Sequence, residues 1–433
     1  MSIVANRSQD LALQRFTEKL VKLHELIALD RGETPEADEL RDLMEQPWYS
    51  LGERESKIAQ QVSADLYALF PDSAPPHPPG DAFSPSLAKD LNEARKNNDY
   101  LTALELITQR ATEIGEYRAT NLRGSCYQHL GITDIALLFF ERAVDLTANN
   151  SGALIYLLTA LAGAGEGRAA SERANGILQQ GTSDIELHRL CALIVLSEAR
   201  DRNGATSIRQ IEYAQSEFER VLERLQISEK DSRTLQSIVE CLFSLSECSY
   251  LLGDEKKAIQ HLSTALRISP NDEPARVLRG LLYTTRDFSL ARADFRNAVE
   301  YGTQDVWPYY YLAHDALRSE EYDFGLRMAS EGLRRTRRPE LVSEFHELIA
   351  ISLFMRHASS AQMPVEEIRT HFSLATAQSP LDLNVSENSR RFEIFTTRQV
   401  MPQWQIPKQS EPSVPEMTEG WISRLPSYAA LVN

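Results

Sequence analysis

Several residue types that carry enzyme chemistry are present in this sequence, but none has the spacing of a known reaction centre. Gly163, Gly165 and Gly167 resemble a phosphate-binding loop, yet no strand is predicted before them, so we predict a turn between two helices. Ser86 and Lys89 match the S-x-x-K pattern without its companion motifs. We therefore predict no catalytic residue and no cofactor for this chain.

Histidines are concentrated toward the C-terminal end of the helical pattern. His346 precedes Glu347, but no second histidine stands one helical turn later, as a helical zinc site requires. The histidines that could converge across neighbouring helices are His314, His346, His357 and His371. Isolated helical histidines are more often half-buried structural residues, so we predict no metal site. A catalytic or metal-dependent site, carried by these histidines or by the N-terminal helices, is the alternative function.

The charge balance limits the partners of this chain. It has 433 residues, with 46 Lys and Arg against 62 Asp and Glu, and a formal net charge of −16. Nucleic-acid binding needs clustered cations that displace counterions, so no nucleic-acid partner is expected. A single hydrophobic core stops growing at roughly 250–300 residues, so the length predicts several domains or a repeat array.

The remaining composition predicts a cytoplasmic protein. The four cysteines lie in predicted helices and are too few for a disulfide framework, so we expect reduced, buried thiols. The first residues lack the apolar core of a signal peptide, and no run approaches 18 apolar residues, so no membrane partner is expected.

The elements that must position any site are helices. Apolar residues recur at intervals of three and four along most of the chain, which predicts an all-α fold. A pattern of small, large or small, and small residues also returns at intervals of about 33–34 residues, or about 43–44 in the longer units. Its clearest examples are Ala136-Phe140-Ala143, Ala258-Leu262-Ala265 and Ala291-Phe295-Ala298.

These repeats resemble the tetratricopeptide repeat (TPR) family, whose unit is two helices joined by a turn. The unit at about residues 117–150 carries the resemblance most clearly, through Gly124, Tyr127, Gly131, Ala136, Phe140 and Ala143. The resemblance implies a right-handed superhelical α-solenoid of TPR-like helix pairs. Small residues are expected where two helices cross closely, and no pair buries its apolar face alone.

We predict four segments along the chain. Residues 1–70 form an N-terminal segment of three helices, residues 71–86 a proline-rich linker, residues 87–380 a solenoid of about eight helix pairs, and residues 381–433 an extended proline-rich tail. The segment from Leu40 to Leu51 resembles one found in uncharacterised bacterial proteins, which brings no activity with it. Trp404 and Trp421 in the tail predict docking on the solenoid or on a partner, with loose surface chain as the alternative.

In the TPR family, the first helix of each unit lines a concave surface that binds partners. Residue-by-residue alignment places a mixed polar and aromatic set on that surface, which suits a peptide or a partner helix. The set is Asn121, Ser125, Gln128, Phe243, Glu247, Tyr250, Leu281, Thr284, Tyr310, His314 and Arg318.

Four arginines oppose the net charge of the chain: Arg334, Arg335, Arg337 and Arg338. They either cover the carbonyl groups at a helix C-terminus or form a docking patch for an acidic segment or a nucleic-acid backbone. The sequence as a whole predicts a non-catalytic scaffold or adaptor that binds a protein segment. Homo-oligomeric assembly is compatible with that function, and the sequence does not identify the partner.

Overall fold

Helices form wherever apolar residues recur every three or four positions, because each helix then buries one stripe against its neighbours. The computed structural model describes residues 2–69, 84–147, 149–200, 205–229, 231–358 and 362–406. Within these ranges there are 21 helices, packed in consecutive pairs, and no strand. The predicted all-α array of TPR-like helix pairs is thereby confirmed.

The chain divides into two compact units, and the first ends at about residue 201. Its helices are α1 (Ser2–Ala28), α2 (Pro35–Tyr49), α3 (Glu53–Leu69), α4 (Pro85–Lys96), α5 (Tyr100–Gln109), α6 (Ala111–Ile114), α7 (Glu116–His129), α8 (Thr133–Leu146), α9 (Ser151–Gly163), α10 (Gly167–Gln180) and α11 (Ile185–Arg200). Most of the predicted linker lies outside the described residues. Its last two residues are helical, because Pro85 occupies the first turn of α4, where proline is favoured.

The second unit follows the same consecutive packing. Its helices are α12 (Ala205–Ile227), α13 (Ser232–Leu251), α14 (Glu255–Ile268), α15 (Glu273–Tyr283), α16 (Phe288–Glu300), α17 (Val306–Arg318), α18 (Tyr322–Arg335), α19 (Pro339–His357), α20 (Val365–Gln378) and α21 (Leu383–Arg398). Adjacent members pack against each other throughout, as α13 does with α14 and α19 with α20.

Local sequence signals set the helix ends. Aspartate side chains accept hydrogen bonds from backbone N–H groups at eight of the described N-termini, each interaction contributing about 1 kcal/mol. These capping residues are Asp99, Asp184, Asp231, Asp254, Asp272, Asp287, Asp305 and Asp382. Gly131 and Gly165 have positive φ angles of 79° and 81° in the turns after α7 and α9, which glycine adopts without strain. The turn predicted at Gly163, Gly165 and Gly167 is therefore confirmed.

The extended tail does not begin at residue 381 as predicted. Leu383–Arg398 form α21, which Asp382 caps and which buries Val385 and Phe392. Only three of its residues are buried, so the apolar signal in the sequence was too sparse to predict a helix. Residues 399–406 are the described part of the chain that follows it without regular secondary structure, and the remainder of the tail lies outside the described residues.

In two of the helix pairs, close approach depends on an aromatic ring that lies against a glycine. The Phe140 ring of α8 packs on Gly124 of α7 so closely that a Cβ there would lie 2.7 Å from a ring carbon. Gly280 of α15 and Phe295 of α16 repeat the contact, with a corresponding distance of 2.6 Å. Both rings have no exposed area. Even one methyl group would therefore force the two helices of a pair apart.

This packing predicts that Gly124→Ala destabilises the protein. A methyl group would overpack the Phe140 contact at a cost of about 1–3 kcal/mol, which opposes the roughly 1 kcal/mol that alanine gains in a helix. Gly176→Ala in α10 is the matched control, because nothing lies within 4 Å of the added Cβ and only the helix-propensity gain applies. Urea unfolding of both variants measures the difference, and equal stabilities would refute the glycine contact.

Candidate binding surfaces

A buried carboxylate fixes the N-terminal helices to the first repeats. Asp65 of α3 has a fully buried side chain and accepts from Arg123 Nε at 2.9 Å, from the Tyr127 hydroxyl at 2.6 Å and from the Thr108 hydroxyl at 3.0 Å. Gln61 Nε2 also donates to it at 3.1 Å. The three partners outside α3 come from α5 and α7, so one residue joins three helices. Sequence reasoning missed it, because an isolated aspartate beside an apolar stripe has no motif.

Asp65→Asn is expected to lower the unfolding free energy by about 3–5 kcal/mol, since the change leaves the Arg123 guanidinium buried without its charge partner. Glu53→Gln is the control in the same helix, because Glu53 pairs with Lys57 only on the exposed surface and its loss should leave the melting midpoint unchanged. Calorimetry of the two variants provides the measurement. An Asp65→Asn protein that melts with the control would show that Asp65 is not an anchor.

The predicted groove residues of the first unit lie along one face of α7. Asn121 and Ser125 are buried, and Gln128 is half-buried. The oxygens Asn121 Oδ1 and Gln128 Oε1 are buried and have no hydrogen-bond partner among the described residues. The Ser125 carbonyl oxygen contacts His129 Nδ1 at 2.8 Å. Two side chains two helical turns apart therefore have acceptor atoms without an intramolecular donor.

Three of the five predicted groove residues on α13, on α15 and directly after α15 are buried, not exposed as a binding surface would be. Phe243, Glu247 and Leu281 have at most 5% of their surface exposed. Tyr250 and Thr284 are half-buried. The Thr284 hydroxyl donates to the carbonyl oxygen of Leu281 at 2.7 Å within its own turn. Tyr250 and Thr284 are therefore the members of this set with accessible surface.

The last predicted groove residues lie on α17. Tyr310 and His314 are fully buried, their rings 4.5 Å apart, while Arg318 is exposed. The Tyr310 hydroxyl donates to Glu344. Burial lowers the pKa of His314 to about 3, and the nearby Arg318 charge acts in the same direction, so the imidazole is neutral at pH 7. Both nitrogens of His314 are buried without a hydrogen-bond partner in the described part of the chain.

The predicted basic patch contains two kinds of arginine. The Arg335 guanidinium lies 4.2 Å from the centre of the Tyr309 ring and donates to the Thr303 carbonyl oxygen at 3.2 Å, so it packs into the fold. Arg334 is largely exposed and pairs with Glu331 at 2.6 Å. Arg337 donates to the Thr336 carbonyl oxygen at 2.8 Å, and Arg338 precedes the first residue of α19. Arg334 and Arg335 thus lie in the last turn of α18, where cations stabilise the helix C-terminus.

Two of the four C-terminal histidines converge. His346 Nδ1 of α19 lies 2.9 Å from His371 Nδ1 of α20. Burial, followed by the His371 charge, lowers the pKa of His346 to about 4. His357 contacts the carbonyl oxygen of Leu353 in its own helix at 3.0 Å. Within the described ranges, no group of three or more His, Cys, Asp or Glu side chains is placed to hold a metal ion.

A second buried carboxylate lies near the end of the described chain. Glu347 of α19 has 1% of its surface exposed, and its Oε1 accepts from Asn388 Nδ2 of α21 at 2.7 Å. Burial raises the pKa of Glu347 to about 7, opposed by the Asn388 hydrogen bond and reinforced by Asp382 and Glu344. No complete sequence motif marked Glu347 and none marked Asn388, because the two residues are 41 positions apart in the chain.

The four cysteines are buried and none forms a disulfide bond, as the sequence predicts. Burial raises the pKa of the Cys126 and Cys191 thiols to about 12 and raises that of Cys248 well above its usual value. These thiols are therefore protonated at neutral pH and behave as small apolar side chains.

The helices of the described residues include none that is both long and apolar enough to span a bilayer.

Comparisons with known proteins find similarity only at the level of the fold. No protein-family model and no curated protein matches this chain. A tetratricopeptide repeat protein from Parabacteroides merdae is 16% identical, with 62% of this chain and 97% of that chain covered and a TM-score of 0.42. The C-terminal part of a TPR repeat-containing protein from Cytophaga hutchinsonii is 15% identical, with 69% and 98% covered and a TM-score of 0.37. The TPR-like character of this chain rests on its own repeat spacing and helix packing.

The raised pKa of Glu347 predicts how stability depends on pH. Between pH 4.5 and about 7 the folded protein keeps a proton that the unfolded chain releases, so this residue lowers stability as pH rises through that window. Glu347→Gln stays neutral and can still accept from Asn388. Its stability relative to the parent should therefore increase by about 2–4 kcal/mol from pH 4.5 to pH 8.

Urea unfolding of the parent and Glu347→Gln at several pH values provides the measurement. The titrations of His314, His346 and His371 are common to both proteins and cancel in the difference. A stability difference that is the same at every pH would contradict the assignment.

Proposed function

We propose that this chain is a non-catalytic scaffold that binds a segment of another protein along the predicted groove helices. TPR-like repeats suit such a role, because consecutive helix pairs present a long series of side chains from rigid elements. The predicted groove residues keep their assignment within this proposal. Those with accessible surface, Gln128 in the first unit and Tyr250, Thr284 and Arg318 in the second, would each make the first contacts within their own unit.

One observation carries the proposal: the unused acceptors on α7. A buried polar atom without a partner costs about 1–3 kcal/mol, so native proteins keep few of them without a reason. Asn121 Oδ1 and Gln128 Oε1 lie two helical turns apart on one face of α7, with Ser125 between them. When these side chains rotate outward, the backbone N–H groups of a bound polypeptide would supply the missing donors. Acceptors at this spacing suit a segment that runs along the helix.

Site-specific photo-crosslinking tests the proposal. A benzophenone amino acid replaces Gln128 in one protein and Arg168 of α10 in another, because the Arg168 side chain is 80% exposed and lies outside the predicted groove. Each protein is irradiated in an extract of the organism that encodes it, and the products are identified by mass spectrometry. We expect one protein species to be crosslinked from position 128 and not from position 168. Equal crosslinking from both positions would place binding outside this surface.

Affinity measurements on the identified partner complete the test. Asn121→Ala and Gln128→Ala should each weaken binding about fivefold, corresponding to about 1 kcal/mol for one hydrogen bond. Arg168→Ala should leave the affinity unchanged. Alanine variants that bind like the parent would show that these acceptors do not contact the partner.

A further inference from the structure

The chain turns back on itself after α21 and lies along that helix. Gln399 adopts a left-handed conformation with φ of 55°, which ends α21 and reverses the chain direction. Arg391 Nη1 then donates to the Gln403 carbonyl oxygen, and Asn388, one turn earlier in the helix, contacts Gln405. The contacts move back along α21 as the chain advances, so residues 403–405 run antiparallel to the helix.

Asn388 holds the backbone of this segment by two hydrogen bonds. Its Nδ2 donates to the Gln405 carbonyl oxygen at 2.6 Å, and its Oδ1 accepts from the Gln405 N–H at 3.0 Å. This double contact is the one that a neighbouring β-strand makes with an extended chain. Asn388 is fully buried, and Glu347 Oε1 holds the same amide group at 2.7 Å. The amide is therefore fixed in position by the fold.

An aromatic pocket receives the one aromatic side chain of the segment. The Trp404 ring is centred 5.0 Å from Phe354 of α19 and 5.7 Å from Phe372 of α20, stacking on the latter at 24°. Both phenylalanines are at least 99% buried. Trp404 Nε1 is buried and has no hydrogen-bond partner among the described residues. Burial of the ring surface, and not a hydrogen bond from the indole N–H, therefore stabilises the position of the Trp404 side chain.

These contacts have the character of peptide recognition. The polar ones reach backbone atoms of Gln403 and Gln405, which any residue would supply, and the pocket selects an aromatic ring. Pro402 and Pro407 flank the segment and favour extended backbone at the residues before them. Donors and acceptors for the backbone, together with a pocket for one side chain, are what extended peptides require.

We propose that α19, α20 and α21 form a binding site for an extended peptide that carries an aromatic residue, with Gln403–Ile406 as its internal ligand. A peptide of the same chemistry replaces this segment in trans when the segment leaves. The inference rests on the proposed function only in taking polypeptide as the ligand, and its site is separate from the α7 face.

A competition experiment on the full-length chain tests the site. Trp404→Ala removes the ring of the internal ligand, and the probe is a fluorescein-labelled peptide with the sequence of residues 399–407. We expect the variant to bind this peptide at least about tenfold more tightly than the parent, whose own segment competes at a high effective concentration. Fluorescence anisotropy gives the two affinities.

Substitutions in the peptide test whether the pocket selects an aromatic ring. A peptide with alanine at the tryptophan position should show no binding to the Trp404→Ala chain. A peptide with phenylalanine there should bind within about tenfold of the original, because the indole N–H has no acceptor to lose. Complete loss of binding with phenylalanine would contradict recognition by ring area.

Two double variants test whether the Asn388 side-chain amide contributes to peptide binding. Adding Asn388→Ala to Trp404→Ala should abolish peptide binding, whereas adding Asn384→Ala, an exposed asparagine at the start of the same helix, should not change it. Equal binding by the two double variants would exclude Asn388 as the backbone contact.

A second variant that releases the internal segment provides a control in case Trp404→Ala fails to fold. Gln405→Pro removes the N–H that donates to Asn388 and leaves Trp404 in the sequence, so this chain should also bind the labelled peptide more tightly than the parent. Circular dichroism and melting identify which variants are folded. Failure of every folded variant to bind the peptide would overturn the inference, whereas the crosslinks from Gln128 would be unaffected.

Discussion

The close contact between an aromatic ring and a glycine on the facing helix is the constraint on which two of the helix pairs depend. Phe140 against Gly124 and Phe295 against Gly280 set the same approach in two separate parts of the chain. Each ring fills space that a side chain on the facing helix would otherwise occupy, so pair geometry is fixed by excluded volume as well as by apolar burial. The buried alanines on either side of each ring allow the helices to stay close along their length.

Two buried polar contacts lie where the regular packing gives way to the flanking elements. Asp65 joins α3 to α5 and α7, and the Glu347–Asn388 contact joins α19 to α21 and to the segment that follows. A repeat array needs different chemistry at its ends, because a terminal helix pair has no identical neighbour to cover it. Directional hydrogen bonds fix the position of these covering elements more precisely than apolar contact alone would.

The sequence predicted the regular elements well and the irregular contacts poorly, for physical reasons. Helices and turns follow from local periodicity and from residues such as Gly131, so they were recognisable from one sequence. Asp65, Glu347 and Asn388 each have a partner more than 40 residues away in the chain, and no local pattern reports such a contact. Burial of predicted surface residues, such as Tyr310, likewise depends on elements far along the chain.

The burial of all four cysteines has a consequence for where this fold can exist. Their thiols are enclosed and free of disulfide bonds, and the raised pKa values of Cys126, Cys191 and Cys248 keep the reactive thiolate scarce. No covalent link must form or break for the helix pairs to assemble. The architecture can therefore form without an oxidant that closes disulfide bonds.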